Sequence, residues 1–249
     1  PVKESELKLC AGHGVEVIEI PVAFDGLSII VHPENDFVDY LTVEELEMIW
    51  EAGSSVEMWS DVRPTWPSVE IELVGADTDS GTFDYFTETI LGEKGASRAD
   101  YIASTDDNVL VAAVADSRFA LGYFGFAYYA ENSDKLKLVA IDPGDGNAVV
   151  PSAQTINNGV YRPLSRPLFI YVNKDSVSKP EVKAFVNFFL SQGDGIPLIS
   201  EVGYVPLPED VYQLVRARFD KKLVGSLFSD GSQTGLTIKD ILSQGILEP

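Results

Sequence analysis

Cysteine is almost absent from this chain: Cys10 is its single thiol in 249 residues. That excludes an internal disulfide and any cysteine-rich metal site. Histidine is nearly as scarce, and His13 and His32 stand at no ligand spacing, so both read as surface or strand-end residues. Neither a metal nor a cofactor is expected. Positive charge is in short supply too, with 18 Lys and Arg against 39 Asp and Glu and a formal net charge of −21. Nucleic-acid backbones and anionic membrane surfaces repel such a chain, so neither is an expected partner. Long apolar runs are missing: nothing approaches the roughly 18 residues that span a bilayer, and no signal-peptide pattern opens the chain at Pro1. What remains is a 45% hydrophobic composition, enough for one large core or two lobes.

The chain is organised around residues 75–86, Gly-Ala-Asp-Thr-Asp-Ser-Gly-Thr-Phe-Asp-Tyr-Phe. Before it, residues 69–74 alternate apolar and acidic side chains with the period of a strand; after it, Phe83, Phe86 and Ile90 recur at helical spacing. A strand-to-helix turn is expected here. The first N–H groups of such a helix lack internal acceptors, Ser80 and Thr82 add hydroxyl donors, and Gly81 lets an anion approach the main chain. The alternative is that Asp79 or Ser80 caps the helix and nothing more. Because the net charge repels anions at long range, an anion site must work through short, directed donors with a local Arg or Lys to help.

Residues 1–14 read as a helix ending at Gly12-His13-Gly14. Extended structure follows over 15–23, with a turn or hinge at Phe24-Asp25-Gly26 and a buried strand over 27–31. Thr42-Val43-Glu44-Glu45 is a capping box opening a helix that buries Val43, Leu46, Ile49 and Trp50. Ser104 to Asp107 caps a further helix, and the glycine-punctuated aromatic run 120–129 reads as a buried strand and a short helix. Residues 138–141 and 168–172 are expected strands, the second resembling residues 27–31 in its apolar character. Ser178-Lys179-Pro180-Glu181 caps a helix burying Val182, Phe185, Val186 and Phe189; Val211, Leu214, Val215 and Phe219 mark another, and Thr237 to Asp240 opens the last.

Taken together with the turn at 75–86, several stretches resemble the PstS-type phosphate-binding proteins. They are Ser97-Arg98 with Asp100-Tyr101, residues 106–111, Leu121-Gly122-Tyr123-Phe124-Gly125, residues 163–168, and Gly203-Tyr204-Val205-Pro206-Leu207-Pro208. The resemblance extends over nearly the whole chain. It implies an α/β type II periplasmic-binding-protein fold, two α/β lobes joined by a two-strand hinge, with residues 1–24 and 168–249 in a first, incomplete lobe and 25–167 in a second. It implies inorganic phosphate as ligand, an ABC transporter permease in the membrane as partner, and a periplasmic or extracellular location, with a membrane anchor upstream left open. Ser80, Gly81 through its N–H, and Thr82 become the expected ligand donors.

Two departures accompany the resemblance. Many members place an arginine four residues before the Ser of this turn, where this chain has Ala76; Arg98 is the expected replacement, the alternative being that it is an exposed salt-bridging arginine, and Arg166 is the fallback. Members also carry an N-terminal strand and helix pair that completes the site, and this segment is missing ahead of Pro1. A fragment, supply of the segment by another chain, and loss of half the site all remain open. Cys10 resembles a cysteine whose disulfide partner lies in that segment. Asp77 and Asp79 are available as acceptors for a phosphate proton, Asp79 being the expected ligand or else a cap. An enzyme is not expected: Ser80 has no His partner and no nucleophile elbow. A sensor or scaffolding module with a vestigial anion site, and a binder of another tetrahedral oxyanion, are the alternatives.

Overall fold

The computed structural model describes residues 2–228 and 237–247. Helix α1 spans Glu4–Gly12, and β1 follows as one strand, Val17–Val31. Of the turn or hinge expected at Phe24-Asp25-Gly26, no turn interrupts the strand, while the boundary between the chain's two units falls between Asp25 and Gly26. The strand is paired on both sides of that point: Ala23 and Phe24 pair with Pro206 and Val205 of β9 (Val205–Pro206), and Leu27 to Val31 pair with β5 (Ala120–Gly125). Gly26 serves a close approach instead, since a Cβ there would lie 2.6 Å from Ile156 Cδ1.

The chain divides into two α/β units, one made of Pro1–Asp25, Asn157–Gly159 and Arg166–Pro249, the other of Gly26–Ile156 and Val160–Ser165. In the second unit the strand order is β4 (Ile102–Ser104), β3 (Glu72–Ala76), β5, β1, β6 (Lys137–Leu138). Strand β3 is parallel to β4 and β5, whereas β5 and β6 run antiparallel to β1. Each of the three parallel strands feeds a helix: α4 (Gly81–Ile90), α5 (Asp107–Asp116) and α6 (Phe126–Glu131). In such sheets ligands gather at the carboxyl ends of the strands, where the helix N-termini collect. The single strand expected over 138–141 splits at Val139, whose N–H bonds to Ile29 O; beyond it β7 (Ala140–Asp142) pairs in parallel with β2 (Tyr40–Thr42).

Helix α2 (Val43–Trp50) opens with the expected capping box, Glu45 N to Thr42 Oγ1 at 3.0 Å and Thr42 N to Glu45 Oε2 at 2.8 Å. It delivers Trp50 to a fully buried aromatic cluster in which Phe86 stacks on Tyr123 at 3.9 Å and Trp50 meets Tyr123 edge-on at 4.9 Å. On the sheet face under α5, Leu110, Val111 and Val114 pack against Ile30, Val74 and Phe124.

In the first unit, β8 (Ser165–Asn173) pairs with β1, and α10 (Glu209–Asp220) buries Val211, Val215 and Phe219, with Leu214 half-buried. Glu19 on β1 is fully buried and accepts from Leu227 N at 2.7 Å and Ser226 Oγ at 3.1 Å, while Arg218 donates to Glu19 O and Gly225 O. These bonds fasten the segment after α10 onto β1. Helix α11 (Ile238–Leu247) starts at Thr237, which exchanges bonds with Asp240. Helix α8 (Pro180–Phe189) differs from expectation. Its first turn relies on Pro180 and carries no side-chain cap, Ser178 Oγ donating to Asp175 O instead. Of the four side chains expected to be buried, Val186 alone is; Phe185 is 58% exposed.

Gly75 tests the packing behind the turn. A Cβ there would lie 2.5 Å from Tyr123 Cε1, on a ring held by Phe86 and Trp50. Gly75→Ala is expected to cost about 1–3 kcal/mol by overpacking, read as a lower urea midpoint at an unchanged m-value.

Candidate functional site

The turn between β3 and α4 is built by short local bonds. Ser80 N donates to Asp77 O at 2.9 Å, closing a four-residue turn, and the Asp77 carboxylate accepts from Asp79 N at 3.3 Å and Thr78 Oγ1 at 3.2 Å. Two longer-range bonds fix the turn to the sheet edge: Asp77 N donates to Ser104 O at 3.0 Å, and Tyr101 Oη donates to Ala76 O at 3.0 Å. The parallel register sets Ala76 beside Ser104, so the ends of β3 and β4 and the starts of α4 and α5 share one edge. Burial raises the Tyr101 phenol's pKa, and the nearby Asp77 charge adds to this, so the hydroxyl keeps its proton for Ala76.

Ser80 is the N-cap of α4, with extended backbone, and its Oγ accepts from Thr82 N at 3.1 Å. Capping uses a lone pair and leaves the hydroxyl proton available, so the same side chain both caps the helix and presents a donor. Gly81 occupies the first helical position, where its N–H has no intrahelical acceptor, and nothing lies within 4 Å of where its Cβ would be. The main chain is therefore open to close approach. Thr82 is half-buried; Phe83, Tyr85 and Phe86 are buried and hold the helix against its unit. Asp79 is exposed, and the cap is Ser80 rather than Asp79.

Acidic groups crowd this edge. Asp106 caps α5 by accepting from Asn108 N at 3.0 Å, and Asp107 follows it, its pKa raised by burial and by the Asp106 charge. Asp84, in the first turn of α4, is paired with Lys94 at 2.8 Å. No group of three or more metal-ligating side chains exists among the described residues.

Arg98 requires a correction. Its Nε and Nη2 form a two-pronged pair with Asp100, both at 2.7 Å, and its Nη1 donates to Ile49 O and Val56 O at 3.1 and 2.8 Å. With its side chain 9% exposed, the guanidinium places four of its five N–H groups in these bonds, which stitch its loop to Ile49 at the end of α2 and to Val56 beyond it. The pairing with Asp100 is the salt-bridging alternative, although the side chain is buried rather than exposed; the two carbonyl partners are distant in sequence. Arg166 is likewise engaged, through Nε and Nη2, with Asp25. Tyr101 and Ser104, which fix the turn, lie 25 and 27 positions or so from the residues they hold, and no local spacing announces them.

The model of a PBP superfamily domain matches residues 1–192. The chain is similar to the protein SphX of Synechocystis sp., 44% identical over 247 residues, which are 98% of this chain and 73% of the relative. It is similar to the phosphate-binding protein PstS of Staphylococcus saprophyticus, 36% identical over 222 residues, covering 88% and 67%. Its fold is similar to a crystal structure of a possible phosphate binding protein from Planctomyces limnophilus, with a TM-score of 0.82, 47% identity, and 90% and 78% of the two chains covered.

The Arg98 assignment is testable by stability. Arg98→Met strands two carbonyls, while the exposed Asp100 carboxylate returns to water, and a loss of about 1–3 kcal/mol in denaturant unfolding is expected. The arginine holds Asp100 at about 2, below its usual range. The pair's stabilisation is therefore present above about pH 4 and lost as pH falls through about 2. An Asp100→Asn variant should be less stable than the parent at pH 5, with the difference shrinking as pH falls from about 4 through about 2.

Proposed function

The chain belongs to the PBP superfamily as a PstS-type protein, and from that premise we propose that it captures inorganic phosphate outside the cytoplasm for delivery to an ABC transporter permease. The observation that carries this reading is the turn at Ser80: a hydroxyl proton, an acceptor-less N–H at Gly81 and a second hydroxyl at Thr82 within one turn of helix, beside open space. The start of α4 also brings the positive end of the helix dipole to an anion held there. In this proposal the two units described above are the two lobes, close to the expected 1–24 with 168–249 and 25–167, and segments outside the given sequence complete the donor set.

Specificity follows from proton counting. Phosphate near neutral pH keeps at least one proton and satisfies an acceptor, whereas sulfate has none to donate. Asp79 is the proposed acceptor, since its carboxylate is free of the capping task that Ser80 performs. Charge for the anion comes from the dipole and the directed donors rather than from Arg98. The chemistry at the turn is binding without turnover.

Titration calorimetry with the complete encoded chain tests both statements. Ser80→Ala with Thr82→Ala removes two donors to a charged ligand, each worth about 1.5–3 kcal/mol, so a loss of at least about 100-fold in phosphate affinity is expected. An unchanged affinity would assign the turn to structure alone. Asp79→Asn should narrow the preference for phosphate over sulfate, because an amide has a donor to offer the fully ionised anion.

A further inference from the structure

The loop that carries Arg98 also presents Tyr101, and this tyrosine reaches both sides of the turn that bears Ser80. On the strand side its hydroxyl donates to the carbonyl of Ala76, the last residue of β3, at 3.0 Å. On the helix side its ring meets Trp50 edge-on at 5.4 Å, and Trp50 in turn meets Phe86 of α4 at 5.6 Å. A second hydroxyl stands behind the first. Tyr123 Oη is buried and bonds to no backbone group, and its pKa is raised by burial and by the neighbouring Tyr101 phenol. The Tyr101 oxygen is the polar neighbour to which the Tyr123 proton can turn. The loop is fastened in its own right: Arg98 N donates to Trp50 O at 3.1 Å, Ser97 Oγ donates to the same carbonyl at 3.3 Å, and the Arg98–Asp100 pair directly precedes Tyr101. Packing alone would need no phenol, since a phenylalanine ring fills the same space.

We propose that Tyr101 is a positioning residue for the anion. Without touching the ligand, it fixes the end of β3 against the start of α4, so that Ser80 Oγ, Gly81 N and Thr82 Oγ1 keep the spacing an oxyanion requires. The Arg98–Asp100 pair then serves the site at a remove, by holding the loop from which Tyr101 extends. This inference rests on the capture of phosphate proposed for the same turn. Residues 77–79 are half-buried or exposed and bond largely to one another. Their ties to the sheet edge are the bond from Asp77 N to Ser104 O and the bond from Tyr101 to Ala76, so losing the phenol removes one of two. Directed donors weaken steeply when misaligned, and a chain of formal charge −21 has no long-range attraction to make up the loss.

Titration of inorganic phosphate into the complete encoded chain, followed by calorimetry, tests the proposal with Tyr101→Phe, which keeps the ring and removes the hydroxyl. A loss of about 10-fold in affinity is expected, the factor one hydrogen bond carries. Trp59→Phe is the control. It removes another buried donor, Trp59 Nε1 to Phe119 O at 3.1 Å, at the end of β3 away from the turn, and should lower the urea midpoint with affinity unchanged. In a Ser80→Ala, Thr82→Ala background the Tyr101→Phe change should cost less than about 3-fold, because two of the donors it aims are gone. Without ligand, the same change should speed hydrogen exchange at Asp77 N by at least about 10-fold. Unchanged affinity in Tyr101→Phe while the parent binds phosphate would overturn the proposal and leave phosphate capture standing. Equal losses of affinity in Tyr101→Phe and Trp59→Phe would overturn it as well, by showing general loosening. A parent chain that binds no phosphate would overturn the phosphate reading itself, and this inference with it.

Discussion

A helix that starts directly after a strand cannot satisfy its own first N–H groups, and the candidate site is organised by that constraint. At α4 the deficit is met in part by Ser80, which gives a lone pair to Thr82 N and keeps its proton. Gly81 leaves the adjacent main chain uncovered. The remaining donors point to no partner of their own element, and this is the property an oxyanion uses. Packing makes the arrangement rigid: Phe83, Tyr85 and Phe86 are buried along the helix, and Tyr101 and Ser104 clamp the strand end from which it departs.

The electrostatics of the chain sharpen the role of these short contacts. At a formal charge of −21 the protein offers an anion no long-range attraction, and the carboxylates of Asp77, Asp79, Asp106 and Asp107 stand around the same sheet edge. Attraction must then arise within hydrogen-bond distance, where direction counts and screening does not. An excess of local carboxylate is also compatible with a ligand that brings its own proton. The cations expected to help are committed elsewhere, Arg98 to Asp100 and to the end of α2, Arg166 to Asp25. Binding of this kind depends on geometry more than on charge.

Much of the architecture is legible in the residue order because it depends on neighbours in sequence. The capping box at Thr42, the strand-turn-helix at 72–90, the cap before α5 and the strand and helix at 120–131 all follow from contacts spanning a few residues. Errors fall where partners are distant. Phe24-Asp25-Gly26 has the composition of a turn, yet β9 and β5 pair with the flanking residues and keep the segment within one strand. Residues 138–141 form two short strands because Val139 bonds to β1 and its successors to β2. The apolar face of α8 has helical spacing, which establishes a helix without establishing what covers it.

The sequence by itself determined the α/β character and the turn that presents Ser80, Gly81 and Thr82, since periodicity, capping and hydroxyl placement are local properties written in consecutive residues; the family came from the resemblance of several separated stretches. Only the tertiary structure decided which polar groups remain available. A guanidinium at Arg98 has the same chemistry wherever the loop falls, and it was the approach of Asp100 and of the carbonyls of Ile49 and Val56 that consumed it. Hydrogen-bond capacity is allotted by spatial neighbours, and neighbours 42 to 49 positions apart leave no mark on local spacing.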